Sequence, residues 1–211
     1  MSTPSFASVE TAIETFRRGG MIIMADHKDR ENEGDLMFPA EDVTAEKVNF
    51  LIKEARGIVC LSLSEFYVDR LQLPLMKSDR GLATQQNFSP AFTVSIEASH
   101  GVTTGVSAFD RARTISIALD DKTKLSDLRV PGHVFPLRAQ PGGVLQRAGH
   151  TEGSVDLARL AGKKHAAVIC EIMNDDGSMA RFTDLEKFSQ KHGIPILAIE
   201  DLIAYRLEFK K

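Results

Sequence analysis

The sequence predicts an α+β fold: a single domain in which a mixed β-sheet is surrounded by helices. Three observations carry that prediction. Stretches with helical spacing and stretches with strand character intermix along the whole chain, and a helix does not follow every strand as a parallel βαβ series would require. No linker or shift in composition divides residues 1–211, a length that fits one hydrophobic core. The chain also holds no internal repeat and no low-complexity tract.

Residues 1–7 are expected to be a flexible lead. Ser8 to Arg18 reads as a helix, because Val9, Ala12, Ile13 and Phe16 recur at helical spacing, Ser8 offers an N-cap and Gly19-Gly20 an end. Met21 to Ala25 is a short apolar strand, broken by the polar run Asp26 to Asp35. Leu36 to Ala40 is a second strand. Thr44 to Ala55 suits a helix capped by Thr44. Gly57 opens a strand-like run to Leu63, Ser64 to Leu71 suits a short helix, and residues 78–90 read as a mobile loop. Ala91 to Ala98 alternates as a half-buried strand does. Gly101 to Ser107 is rich in Gly and Thr, Asp110 to Leu119 suits a helix, and Lys124 to Leu128 a single turn. Pro131 to Glu152 holds much Gly and Pro and is expected to be irregular. Gly153 to Ala161 reads as a helix, Ala166 to Met173 as a buried strand, and Asn174 to Arg181 as a tight turn around Asp176-Gly177. Thr183 to His192 is a helix with Thr183 and Glu186 as its capping box. Ile194 to Glu200 is the final strand, and Asp201 starts the last helix.

Composition narrows the function. The hydrophobic fraction is 43% and the charged fraction 26%, which is ordinary for a globular protein, and the formal net charge of -3 argues against broad nucleic-acid binding. With 0 Trp and 2 Tyr there is little to stack bases on. No stretch is long and apolar enough to span a bilayer, and the N-terminus lacks the basic start and apolar run of a secretory signal. Cys60 and Cys170 each sit among apolar neighbours and read as buried free thiols. A cytoplasmic protein with no nucleic-acid or membrane partner is expected.

Five groups of residues carry candidate chemistry. The acidic run holds Asp26, Asp29, Glu31, Glu33 and Asp35 around Arg30. In an extended segment Glu31, Glu33 and Asp35 would point one way, and such a row invites magnesium or manganese. Composition alone leaves a solvated loop, neutralised by Lys28 and Arg30, slightly ahead. Arg147 to Thr151 combines a guanidinium, an imidazole and a hydroxyl ahead of a helix, a set able to grip a phosphate, with His150 as a candidate metal ligand; Thr151 as a plain N-cap fits as well. Thr103 to Arg111 offers hydroxyls and an Asp-Arg pair for a polyhydroxylated ligand, or simply a helix start. His133 lies in a loop bounded by Gly and Pro, open to proton transfer or to a structural role. Glu171, in an apolar strand, must be paired, perturbed or at the strand's end. No GxxxxGK[ST] pattern occurs, which disfavours a P-loop nucleotidase.

Taken together these groups resemble the 3,4-dihydroxy-2-butanone-4-phosphate synthases of riboflavin biosynthesis. The resemblance runs from about residue 8 to residue 205 through DRENEGD at 29–35, GIVC at 57–60, TTGVSAFDRARTI at 103–115, PGHVFPLRA at 131–139, RAGHTEGSVDL at 147–157 and the CE pair at 170–171. It implies conversion of D-ribulose 5-phosphate to L-3,4-dihydroxy-2-butanone 4-phosphate and formate. It implies magnesium or manganese, two ions per site, with Glu31 and His150 as metal ligands. Substrate would be bound by Arg30, Glu31, Asp35, Thr104, Asp110 and the run Arg147, Ala148, Gly149, His150, Thr151. The catalytic set it implies is Asp26, Glu33, Cys60, His133 and Glu171, with Asp26 in proton transfer. It also implies a homodimer with sites at the subunit boundary. Two departures stand out: His27 and Lys28 replace acids common in the family, and Val130 precedes PGHVFP where Arg or Thr is usual. Because the chain ends at Lys211, the second, cyclohydrolase domain of bifunctional relatives is expected to be absent. Other classes compatible with the residues are a metal-dependent isomerase or aldolase on another phosphosugar, and a nucleotide- or RNA-binding module.

Overall fold

The computed structural model describes residues 6–76 and 90–209. Helix α1 (Val9–Arg17) starts where Ser8 accepts the Thr11 amide, and its buried face is Val9, Ala12, Ile13 and Phe16, as the spacing predicts. The lead before it is partly tied down: the Ala7 amide donates to the Ile196 carbonyl, and the Phe6 ring stands 5.1 Å from that of Phe182. Strands β1 (Ile22–Ala25) and β2 (Gly34–Pro39) form an antiparallel hairpin. α2 (Ala45–Phe50) begins at the Thr44 cap and runs on through a wider turn, Leu51–Ala55. β3 (Cys60–Leu63) and α3 (Glu65–Arg70) follow. The loop expected at 78–90 lies outside the described residues apart from Pro90.

The predicted strand 91–98 is two pieces, β4 (Ala91–Phe92) and β5 (Ile96–Ala98). α4 (Ala108–Leu119) is capped by Ser107, two residues earlier than predicted. The largest departure is β6 (Leu128–Arg138), an 11-residue strand in a stretch expected to be irregular. Its prolines hid it, since Pro cannot donate to a ladder. Pro131 is accommodated because β5 pairs β6 on both sides of a break, Ile96 with Val134 and Glu97 with Arg129, leaving residues 130–133 bulged between, while Pro136 keeps its place in the ladder opposite Leu61.

α5 (His150–Leu160) also starts earlier than predicted, at His150 rather than Gly153. Its first turn buries His150, Thr151 and Glu152, polar residues that read as loop in the sequence. β7 (Ala166–Glu171) is followed by α6 (Phe182–His192), whose cap is Arg181 with Asp184 rather than Thr183 with Glu186: the Asp184 carboxylate takes the Arg181 amide at 3.2 Å. β8 (Ile196–Ala198) leads directly into α7 (Ile199–Phe209).

The strands lie in the order β4-β6-β3-β7-β2-β1-β8, with β5 paired to β6. β1–β8 and β3–β6 are parallel and the other pairs antiparallel, so the sheet is mixed as predicted. Alternation of side chains sends Ile23, Leu36, Phe38, Leu61 and Val168 into one core with residues of α2 and α4, and Ile22, Met24, Met37, Cys60 and Ile169 into another with α1, α5 and α7. Helices therefore cover both faces. Among the described residues, no helix is long and apolar enough to cross a membrane.

Candidate active site

The register of three strands assembles the site. β2 and β7 place Asp35 directly opposite Glu171, and β3 and β7 place Cys60 opposite Ile169. Asp35 lies two residues from Met37, and Glu171 two from Ile169, so both carboxylates rise on the same sheet face as Cys60. That face is the one covered by α5, whose first residue is His150. Arg30, Glu31, Glu33, Asp35, Cys60, Arg147, His150, Thr151 and Glu171 line one pocket, walled by Pro90, Phe92, Leu137 and Ile169.

The acidic run is a turn and not an extended row. The Arg30 amide donates to the His27 carbonyl at 2.9 Å, Asn32 takes a left-handed φ of 56°, and the Asp26 amide closes on the Glu33 carbonyl at 3.2 Å. Inside the turn Asp26 accepts from Arg30 Nη1 at 2.8 Å, from the Glu31 amide at 3.0 Å and from the Glu33 amide at 2.8 Å. Burial works against the ionised form of Asp26, but the Glu33 amide, His150, Arg30 and the Glu31 amide together hold its carboxyl below the usual range. Arg181 clamps the turn from outside, donating to the carbonyls of Glu31 and Asn32 at 2.7 Å each.

His150 sits where this turn meets α5. Its Nδ1 is 3.7 Å from Glu31 Oε2 and 3.7 Å from Asp35 Oδ1. Asp26, Glu31 and His150 offer ligand atoms that all lie within 4.8 Å of one another. Burial, with Arg30 and Arg147 nearby, pushes the His150 imidazole down to about 4 against the pull of Asp26. The ring is therefore neutral near pH 7, the form a metal requires. Burial, and then the charges of Glu171 and Glu31, hold the Asp35 carboxyl well above its usual range. Glu33 is raised by burial and by Glu31. His150 Nε2 and Asp35 Oδ1 are buried with no hydrogen-bond partner. A group of acids resisting ionisation, a neutral imidazole and two orphaned buried atoms fits a hard divalent cation.

The rest of the pocket suits an anion. Arg147 Nη1 is held at 2.5 Å by Glu152 Oε2, whose other oxygen accepts the Gln140 amide at 3.1 Å. Gly149 caps α5 in extended conformation; a Cβ there would lie 2.9 Å from Glu152 Oε2 and overlap Arg147. Ala148 and Gly149 thus carry the chain tightly from Arg147 to the first-turn amides of α5, beside Thr151. Glu171 accepts the Ile58 amide at 2.8 Å. Burial raises the Cys60 thiol far enough that it stays protonated.

Six of the expected residues are not among those lining this pocket. Asp26, Ala148 and Gly149 stand in the turn and the helix start that supply its lining, whereas Thr104, Asp110 and His133 lie elsewhere. They form a second group. Asp110 accepts from the Thr103 amide and hydroxyl and from the Gly105 amide, and His133 Nδ1 lies 3.1 Å from Glu97 Oε1. Thr104 is exposed between them. Sequence reasoning missed Arg181, Glu152 and Glu97. Only Glu97, an acid in an alternating apolar strand, left a signal that could have been followed.

A family model described as 3,4-dihydroxy-2-butanone 4-phosphate synthase matches residues 10–205. The chain is 56% identical over 198 residues to the protein of that name from Pasteurella multocida, covering 94% of this chain and 91% of the relative. It is 54% identical to one from Campylobacter jejuni, covering 96% of this chain but 58% of that longer protein; the Pseudomonas aeruginosa relative is likewise spanned over 54% of its length. A solved structure of such a synthase in complex with two magnesium ions superposes with a TM-score of 0.90 at 37% identity, over 97% of this chain and 99% of the other.

Proposed function

The chain belongs to the 3,4-dihydroxy-2-butanone 4-phosphate synthase family, and from that premise we propose that the pocket under α5 carries out this family's metal-dependent lyase reaction, converting D-ribulose 5-phosphate to L-3,4-dihydroxy-2-butanone 4-phosphate and formate. The observation that carries the reading is the neutral, buried His150 set between Glu31 and Asp35. Glu31 and His150 would hold magnesium or manganese, and the surplus of carboxylates supports two ions. The cation supplies polarisation of the substrate's carbonyl and neighbouring hydroxyl oxygens.

The chain's own residues do the rest. Arg147, Thr151 and the first amides of α5 bind the phosphate, and Arg30 and Asp35 hold the sugar hydroxyls. Asp26, kept ionised, is the candidate acceptor for the C3 proton, while the raised acids Glu33 and Asp35 are suited to giving one up as the C1 hydroxyl leaves as water. Carbon migration, hydration and cleavage then release C4 as formate, so the water lost is regained. Glu171 and the Cys60 thiol close the pocket floor.

His133, Thr104 and Asp110 act, in this reading, from a second copy of the chain. Val106, Phe109 and Val130 flank them in sequence and are 53%, 73% and 56% exposed, an apolar surface suited to a homodimer with sites at its boundary. The test is one assay: ribulose 5-phosphate with and without magnesium, following formate, repeated with Glu31→Gln and His150→Gln. Formate should appear only with metal and only in the unsubstituted chain. Undiminished formate from either variant would overturn its ligand role, and metal-independent turnover would overturn the reaction assignment.

A further inference from the structure

We propose that Glu97 is a positioning residue for the reaction, fixing His133 in the tautomer and orientation whose Nε2 carries the free lone pair. The proposal rests on the reading above that His133 takes part in catalysis. Glu97 is 4% exposed, while the His133 side chain is 46% exposed. The Nδ1···Oε1 distance is 3.1 Å. An ionised carboxylate only accepts, so Nδ1 must donate and Nε2 is left bare and able to take a proton. A carboxylate behind an imidazole, orienting it without itself reacting, is the arrangement by which general bases are aimed in unrelated hydrolases.

The fold around the pair reserves space for it. Pairing of Ile96 with Val134 and of Glu97 with Arg129 leaves residues 130–133 outside the ladder, and a bulge of this kind re-aims a side chain. Gly132 lies so close to the Ile96 backbone that any Cβ would overlap it. Gly105, at φ 89°, faces the pair from the other side; a Cβ there would overlap Glu97 Oε1 and lie 2.7 Å from His133 Nδ1. Asp110 pins that glycine through the Gly105 amide at 3.0 Å. Arg129 Nη2, 3.3 Å from Glu97 Oε2, meets the second oxygen, so the carboxylate is held at both ends.

The experiment uses the whole 211-residue chain, loaded with magnesium, with ribulose 5-phosphate, following formate. Glu97→Gln should lower kcat by roughly tenfold to a hundredfold with little change in KM, as expected for a group acting through a general acid-base residue. Glu97→Asp should recover most of the loss. The double variant Glu97→Gln/His133→Gln should be no slower than His133→Gln alone. In 15N-histidine-labelled enzyme, the His133 signals should show protonated Nδ1 in the unsubstituted chain and a shift toward protonated Nε2 in Glu97→Gln, a readout independent of turnover. An unmoved tautomer, an unchanged kcat in Glu97→Gln, or a further loss in the double variant would overturn the role of Glu97. Full turnover in His133→Gln would remove the premise instead, and is distinguished because it leaves the tautomer result intact.

Discussion

His150 Nδ1 stands 3.7 Å from Glu31 Oε2, a neutral ring and a carboxylate facing each other without a hydrogen bond between them. That spacing suits a shared cation better than a direct pair, and it predicts a large metal-dependent stabilisation. Magnesium at a hundred times its dissociation constant should add about 2.7 kcal/mol by mass action, raising the melting temperature of the unsubstituted chain. Glu31→Gln and His150→Gln should lose that rise and the binding of manganese seen by electron paramagnetic resonance. A variant that keeps both would remove its residue from the metal site.

The same cluster predicts opposed pH effects on the metal-free protein. His150 has its ordinary value of 6.5 pushed down to about 4 by burial. Below pH 6.5 the unfolded chain takes a proton that the fold refuses, so stability falls as pH drops from 6.5 toward 4, by an amount on the order of 3 kcal/mol. Asp35 runs the other way: its carboxyl is held above 3.8 by burial, so the fold keeps a proton the unfolded chain releases, and stability falls as pH rises past that value. The two slopes mask each other. Asp35→Asn should therefore unmask a stability that climbs between pH 4 and 6.5, and His150→Gln one that declines as pH rises above 4. Urea midpoints in the presence of chelator would show them; parallel profiles in the two variants would contradict the assignment.

Much of this site was legible in the sequence because its residues cluster in a few short runs. Asp26 to Asp35 and Arg147 to Thr151 each carry their chemistry in one turn of chain, and the mixed sheet followed from the irregular order of strands and helices. Other features depended on the fold. Glu171 meets Asp35 only through the register of β7 on β2. The extended reading of the acidic run failed because the Asp26 carboxylate gathers three donors from within the run and curls it. Arg181 reaches the turn across some 150 residues of chain, a contact with no local pattern to announce it. Strand β6 was lost behind its prolines, and with it the bulge that joins His133 to Glu97.

Glu152 is the second acid that acts at a distance from the substrate. Its side chain is 1% exposed, its one oxygen holds Arg147 and the other the Gln140 amide. Glu152→Ala strips a buried guanidinium of an ionic partner and should cost roughly 3 kcal/mol of stability. Glu152→Gln retains an acceptor for the amide and should be milder in stability, yet it should raise KM for ribulose 5-phosphate because Arg147 loses the charge that aims it. Calorimetry and steady-state kinetics separate the two effects. An unchanged KM in Glu152→Gln would mean that Arg147 does not depend on this partner for its aim.

The proposal that a second subunit completes the pocket makes the sharpest prediction. Phe109, 73% exposed beside Asp110, is a side chain whose burial a dimer would reward, so Phe109→Asp should shift the protein toward monomer in sedimentation and depress turnover with it. Exchange of subunits tests the geometry itself. Glu31→Gln disables a pocket but presents an intact His133, and His133→Gln does the reverse. Neither homodimer should turn over. In a mixture of equal amounts, half of the dimers pair one of each, and each such dimer holds one pocket with Glu31 facing an intact His133. Random reassortment should therefore restore about a quarter of full activity. No recovery after proven exchange would place His133 in the pocket of its own chain, and the dimer would then be an assembly without a share in the chemistry.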